Sequence, residues 1–227
     1  MPDLRAVVFD AVGTLMTPDP PVREAYHRIG RRYGSRRSRD EVGRRFTAAF
    51  RGRLSSTDAS HRTDENAERT FWRSVVATVF DELPDSSIEP CFLELFEHFA
   101  NPLSWRVYDD VEATLRQLLS RGKTVAVASN FDSRLHAVFE RHPTLATIER
   151  RFVSSQIGWR KPDKRFFTTV CQALRCDSRE VLYVGDEPLI DVAAATDAGL
   201  SAVLLRREGP LVPGVLTNLQ DVTACCT

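Results

Sequence analysis

Three aspartates, one lysine and a serine–asparagine pair stand at the ends of apolar runs or in the loops between them. Asp10 closes the run Ala6-Val7-Val8-Phe9, and Gly13 follows three places later. Ser129-Asn130 follows Thr124-Val125-Ala126-Val127-Ala128. Gly185-Asp186 follows Val181-Leu182-Tyr183-Val184, and Asp191 comes five residues after Asp186. Lys161 lies in Gly158-Trp159-Arg160-Lys161-Pro162-Asp163, just ahead of a helical stretch. Singly, each has an ordinary account: a turn aspartate, a helix cap, a solvated loop charge. Together they form a chemical inventory. Carboxylates gathered at one point repel unless a hard cation sits among them, and oxygen donors favour Mg2+. One such carboxylate can act as a nucleophile and carry a phosphoryl group as an aspartyl-phosphate. A lysine, a hydroxyl and the N–H groups of the 11–13 turn would then stabilise the equatorial phosphoryl oxygens. The set suits phosphoryl transfer to or from a small phosphorylated molecule.

These groups converge only if the apolar runs are neighbouring strands. Runs of four or five apolar residues bounded by turn signals read as strands buried on both faces. From Trp105 onward they alternate with helical stretches at 110–120, 131–140, 162–174 and 190–198. That alternation predicts an α/β fold, a Rossmann-like parallel sheet with helices on both faces. In such a sheet, ligands bind at the carboxyl ends of the strands, where Asp10, Ser129 and Asp186 fall. Between the first strand and the rest lies a proline-rich linker at 16–21. Four helical stretches follow, at 22–33, 38–54, 63–83 and 87–99, with no strand between them. Ser38 is the expected N-cap of the second, with Glu41 as capping-box partner. We expect a core of residues 1–17 and 101–227 and a helical cap domain of residues 18–100, inserted after the first strand and hung over the site.

Composition narrows the function classes. Of 227 residues, 42% are hydrophobic, and Lys plus Arg equals Asp plus Glu at 31 each. No net field favours nucleic acid or an anionic membrane surface. The five cysteines show no metal-like spacing, which fits reduced thiols in a cytoplasmic protein. No leader or membrane span is read. Oligomeric state leaves no signature.

The order Asp10-x-x-Gly13-Thr14-Leu15, Ser129-Asn130, Lys161-Pro162-Asp163 and Gly185-Asp186-x-x-x-x-Asp191 resembles the four motifs of the haloacid dehalogenase-like hydrolase superfamily. The helical insertion resembles the cap of its phosphoglycolate phosphatase-like branch. Ser129-Asn130-Phe131-Asp132-Ser133-Arg134-Leu135, Gly158-Trp159-x-Lys161-Pro162-Asp163 and Trp105-x-Val107-x-Asp109 resemble the haloacid dehalogenase-like hydrolase domain-containing protein 3 group. The resemblance implies Asp10 as nucleophile and Mg2+ ligand, with Ser129 and the Asn130 backbone holding phosphate. It implies Lys161 as the neutralising cation, Asp186 as a metal ligand, and Asp191 as an outer or water-mediated one. The backbone carbonyl of Val12 is the remaining implied metal ligand.

Val12 is also where the pattern breaks. Phosphatases of this family carry a second aspartate there, which protonates the leaving alcohol and then activates water. Removing such an acid–base typically costs about two to four orders of magnitude in rate. Three readings stay open. One is a phosphohydrolase whose leaving group needs little help, or whose acid comes from the helical unit, with His27, Asp58, His61 and Glu65 as candidates. Another is a carbon–halogen hydrolase, in which halide leaves without a proton. The third is a degenerate phosphate-ligand or protein-binding module. Arg31, Arg32, Arg36, Arg37 and Arg39 read as a solvated basic face. Trp72, Phe92 and Phe96 read as packing of the helical unit, and Cys225-Cys226 as an untethered tail.

Overall fold

A parallel strand buried on both faces needs apolar side chains pointing both ways, and Ala6–Phe9 (β1) supplies them. Val7 and Phe9 enter one core layer, while Ala6 and Val8 enter the other. In the computed structural model, which describes residues 3–54, 61–210 and 212–226, β1 is central in a six-stranded sheet. Its neighbours are Thr124–Ser129 (β4) and Val181–Gly185 (β6), both parallel and paired along its whole length. Arg150–Val153 (β5) flanks β4. Ser201–Leu205 (β7) and Val215–Leu216 (β8) extend the other side, giving the order β5-β4-β1-β6-β7-β8. The fold is α/β and Rossmann-like, as the alternation predicts. Three polar strand ends therefore lie side by side.

Val111–Ser120 (α5) and Arg134–Glu140 (α6) cover the face that holds Phe9. Lys164–Leu174 (α8) and Ala194–Asp197 (α9) cover the face that holds Val8. A single turn, Ser154–Ile157 (α7), follows β5 directly. The segment 188–193 between β6 and α9 is wound as a wider π-type turn, a geometry that recurs at functional sites.

Four helices intervene after the first strand: Val22–Arg32 (α1), Arg39–Leu54 (α2), Glu65–Val79 (α3) and Asp85–His98 (α4). They close around a core of their own, with Tyr26, Val76, Phe80 and Phe92 at its centre. Ser38 Oγ accepts the Glu41 N–H at 3.3 Å, as an N-cap does. The third helix, expected over 63–83, runs only from Glu65 to Val79. Asp64 takes the cap by accepting the Ala67 N–H, while the Thr63 hydroxyl is donated to Glu68.

Other expectations are corrected. Residues 16–18 form a strand, Met16–Pro18 (β2), antiparallel to Trp105–Val107 (β3), because both ends of the helical insertion leave the core side by side. Pro162 does not open a helix: it precedes Asp163, whose side chain caps α8 by accepting the Arg165 N–H. The tail is tethered. Residues 219–226 form a helical segment that buries Leu219 and Val222, and Cys225 packs against the same core.

The helical unit also touches the sheet layer away from its two linkers. Residues 61–63 run antiparallel to 158–160, with Thr63 N–H donated to Gly158 O (3.2 Å) and Arg160 N–H to His61 O (3.0 Å). No helix among the described residues is long and apolar enough to cross a membrane.

Gly30 on α1 faces Phe80, and a Cβ there would lie 2.4 Å from the ring. Gly30→Ala should therefore lower the melting temperature by roughly 2–10 °C, through overpacking of about 1–3 kcal/mol. Thermal unfolding followed by circular dichroism measures this.

Candidate active site

The first strand delivers Asp10 at its carboxyl end, with the Asp10 N–H donated to Val184 O of β6 (2.8 Å). Ser129, last residue of β4, donates its hydroxyl to Asp10 Oδ1 at 2.9 Å. Lys161 Nζ reaches the same oxygen at 2.6 Å and Asp191 Oδ1 at 2.5 Å. These groups are nearly all closed off from solvent: Lys161 is 2% exposed, Asp191 1% and Asp10 6%. A lysine this deep is tolerable only because two carboxylates meet it.

The Lys161 loop is held by main-chain bonds that Asn130 copies. Its side-chain amide donates to Lys161 O (3.0 Å) and accepts the Lys161 N–H (2.7 Å). Tyr183, in the middle of β6, accepts from Lys161 Nζ at 2.9 Å and donates to Ala128 O at 2.7 Å. Nothing in the strand reading singled out Tyr183; one phenol within an apolar run was the only signal.

The third carboxylate sits against the turn after Asp10. Gly13 has φ of +84°, and a Cβ there would lie 2.2 Å from Asp186 Oδ2. Gly185 plays the same part for Asp191, since a Cβ would fall 2.4 Å from its Cγ. Both glycines make room for a carboxylate. Asp191 Oδ2 accepts the Glu187 N–H (3.0 Å), which completes its hydrogen bonding. Carboxylate oxygens of Asp10, Asp186 and Asp191 lie within 4.8 Å of one another.

The electrostatics follow from that crowding. Burial pushes the Asp10 carboxyl up, against the pull of Lys161. Burial also works to lower Lys161, but Asp10 and Asp191 outweigh it and hold the ammonium well above its usual range. Asp186, half-buried and facing both other aspartates, is pushed up to about 8 by desolvation first and by their charges second. A divalent cation is the group that would let all three ionise together.

In the 11–13 turn, the Gly13 N–H is spent on Met16 O (2.8 Å). Only the Ala11 and Val12 N–H groups stay available there for an anion. Above this polar floor opens a cavity of about 320 Å³, with Val12 in its lining. Helical-unit side chains Tyr26, Phe46, Phe50 and Trp72 line it, so Trp72 does more than pack within that unit. Phe92 is buried in the helical core as expected, and Phe96 packs against it.

None of the described candidates for a replacement acid lines the cavity. Glu65 is bound by the Ser133 N–H (3.0 Å) and hydroxyl (2.9 Å) and by the Ser155 hydroxyl (2.5 Å), pinning α3 to the sheet layer. His61 lies in the 61–63 crossing, His27 stays outside the lining, and Asp58 falls outside the described residues. The basic cluster is not simply solvated. Arg37 is held by Glu41, Asp81 and Glu82, Arg32 by Glu94, and Arg39 by Glu24.

A family model described as haloacid dehalogenase-like hydrolase matches residues 4–199. The chain belongs to this family. It is 26% identical over 215 residues to the haloacid dehalogenase-like hydrolase domain-containing protein 3 of Bos taurus, covering 93% of this chain and 86% of that one. A crystal structure of a HAD phosphatase from Thermococcus onnurineus is 24% identical, with a TM-score of 0.70 over 98% of this chain and 97% of that one. A defluorinating L-2-haloacid dehalogenase is 17% identical, with a TM-score of 0.79 over 98% and 95%. The family is thus a hydrolase family, and its fold here carries an acidic cluster able to bind a metal.

The raised Asp186 gives a pH signature. In metal-free protein the folded state keeps the Asp186 proton that the unfolded chain releases near pH 4, so its contribution to stability falls as pH rises from about 4 to about 8. Asp186→Asn should therefore melt higher than wild type at pH 8 in EDTA, by about 2–4 °C for each kcal/mol of repulsion relieved. It should also lose most of the Mg2+-induced rise that wild type shows. Scanning calorimetry with and without Mg2+ measures both.

Proposed function

We propose that the protein is a Mg2+-dependent phosphatase that uses Asp10 as nucleophile on a small phosphorylated molecule. The cluster of Asp10, Asp186 and Asp191 carries this reading, because Lys161 meets only Asp10 and Asp191, and a divalent cation would neutralise the third carboxylate. On this reading Asp10, Asp186 and the Val12 carbonyl hold the metal, and Asp191 supports it through water, since both its oxygens already accept hydrogen bonds. The ion neutralises carboxylate and phosphoryl charge so that two anions can approach. Residues 1–17 and 101–227 form the catalytic core and 18–100 its cap, in a protein of the cytoplasm.

The chain's own groups then divide the work. Lys161 holds Asp10 Oδ1, leaving the other oxygen to attack. As Asp10 bonds to phosphorus, the ester P–O bond breaks and its electron pair leaves on the ester oxygen. Ser129, Lys161 and the Asn130 backbone hold the phosphoryl oxygens during transfer. Water then attacks phosphorus, the acyl-phosphate P–O bond breaks, and the proton passes to solvent or phosphate. A carbon–halogen hydrolase needs no metal and leaves Asp186 beside Asp191 unexplained.

Val12 can neither protonate the leaving group nor activate the water. With p-nitrophenyl phosphate, whose phenolate leaves unaided, stopped-flow absorbance should show a burst near one equivalent per enzyme, then slow turnover. Val12→Asp should shrink the burst and raise steady-state turnover by about 10²–10⁴. Asp10→Asn should abolish both phases, and phosphate release that survived it would rule the aspartyl-phosphate route out.

A further inference from the structure

The wall of the cavity is a closed collar of aromatic rings. Trp72 stacks on Phe50 (5.9 Å between centroids), Phe50 on Phe46 (5.9 Å), and Phe46 meets Tyr26 edge-on (5.0 Å). The series continues from Tyr26 to Phe99 (6.1 Å), Phe99 to Trp105 (5.9 Å) and Trp105 to Phe131 (5.9 Å). Arg134 closes it, its guanidinium 5.6 Å from the Phe131 ring and 5.9 Å from Trp72. Every member lines the cavity. Ordinary core packing would bury such rings, yet Phe50 is 37% exposed and Phe46 and Trp72 are only half-buried.

The collar has little to offer a polyol. The Arg134 guanidinium is already bidentate to Asp132 (2.7 Å to each oxygen) and donates to Phe96 O (3.1 Å). Hydroxyls brought here would lose water and find few partners. A flat apolar group would instead stack on ring faces.

The edge of the floor adds an independent requirement. Val12 supplies no proton, and Arg134 stays charged at any working pH. Burial holds the Tyr26 phenol far above its usual value, so it is a poor acid. Without a proton from Val12, Arg134 or Tyr26, the leaving oxygen departs best as a stable anion. Glu187 is the remaining carboxyl on the lining, exposed on the Asp186 loop.

Resting on the phosphatase reading above, we infer that the substrate is a phenolic phosphate monoester. Its aromatic ring is held in the collar, and its oxygen leaves as phenolate past Val12. Asp10 takes the phosphoryl group, the aryl-oxygen–phosphorus bond breaks with its electron pair on the phenolate, and water returns phosphate from Asp10.

The test compares phenyl phosphate, benzyl phosphate and glycerol 3-phosphate with Mg2+. It also measures, by tryptophan fluorescence, the binding of phenylphosphonate and methylphosphonate, which are not hydrolysed. Phenyl phosphate should exceed benzyl phosphate at least a hundredfold in kcat/KM, which reports the transfer to Asp10, because only its leaving group is a stable anion. Glycerol 3-phosphate should fall at least a hundredfold below phenyl phosphate in kcat/KM. Phenylphosphonate should bind at least tenfold tighter than methylphosphonate, and Phe50→Ala or Trp72→Ala should each erode that ratio. Both variants are checked for folding by circular dichroism. A phosphonate ratio near one, or glycerol 3-phosphate matching phenyl phosphate, with hydrolysis intact, overturns the substrate assignment alone. Equal kcat/KM for benzyl and phenyl phosphate overturns its leaving-group half and turns attention to Glu187. No Mg2+-dependent release from any ester, or release that survives Asp10→Asn, defeats the hydrolytic reading and the assignment together.

Discussion

One buried ammonium governs this site. Lys161 Nζ is held between Asp10 and Asp191, and removing three charges from water is costly unless each is met at close range. Much of the surrounding architecture serves that constraint. Asn130 fixes the lysine's own backbone, Tyr183 takes a third Nζ hydrogen, and Gly185 lets Asp191 approach where a Cβ would block it. Parallel order does the rest: β1 lies between β4 and β6, so Asp10, Ser129 and Asp186 emerge side by side from one sheet edge.

The floor of the site was legible in the sequence because it is local. A polar residue that ends an apolar run can be found by reading along the chain, and the sheet's parallel order brings such ends together. Lys161 was legible from its loop and from family likeness. Tyr183 was not, because its inward direction depends on strand register, and its bond to Ala128 links residues 55 apart. The aromatic collar was invisible for the same reason. Helical spacing shows that Trp72 belongs to a packed face, but its neighbour Phe50 comes from another helix and Phe131 from the loop after β4. Where local signals misled, tertiary context prevailed: Pro162 sits ahead of an aspartate cap instead of opening its helix, and the proline-rich linker begins as half of a β-ribbon.

Floor and collar have different origins. The floor comes from strand ends and sheet-edge loops, where a shift of an ångström would unbalance the charges. Four of the seven rings come from helices α1–α3, whose core is their own, so the upper wall can change without disturbing the carboxylates below. Both the phosphatase and the dehalogenase that this chain resembles share its fold, which agrees with chemistry being set by a few side chains at the floor rather than by the architecture.

The crossing of residues 61–63 with 158–160 has a mechanical consequence. Two adjacent linkers, such as the paired strands β2 and β3, define an axle about which a body can swing. A third attachment off that axle removes the swing, as a bolt does on a hinged door. Here the bolt is two main-chain hydrogen bonds reinforced by Glu65 on Ser133 and Ser155, and it engages the chain one to three residues before Lys161. Admitting a ligand by swinging the helices aside would draw this bolt, so entry is mechanically geared to the loop that holds the lysine in place.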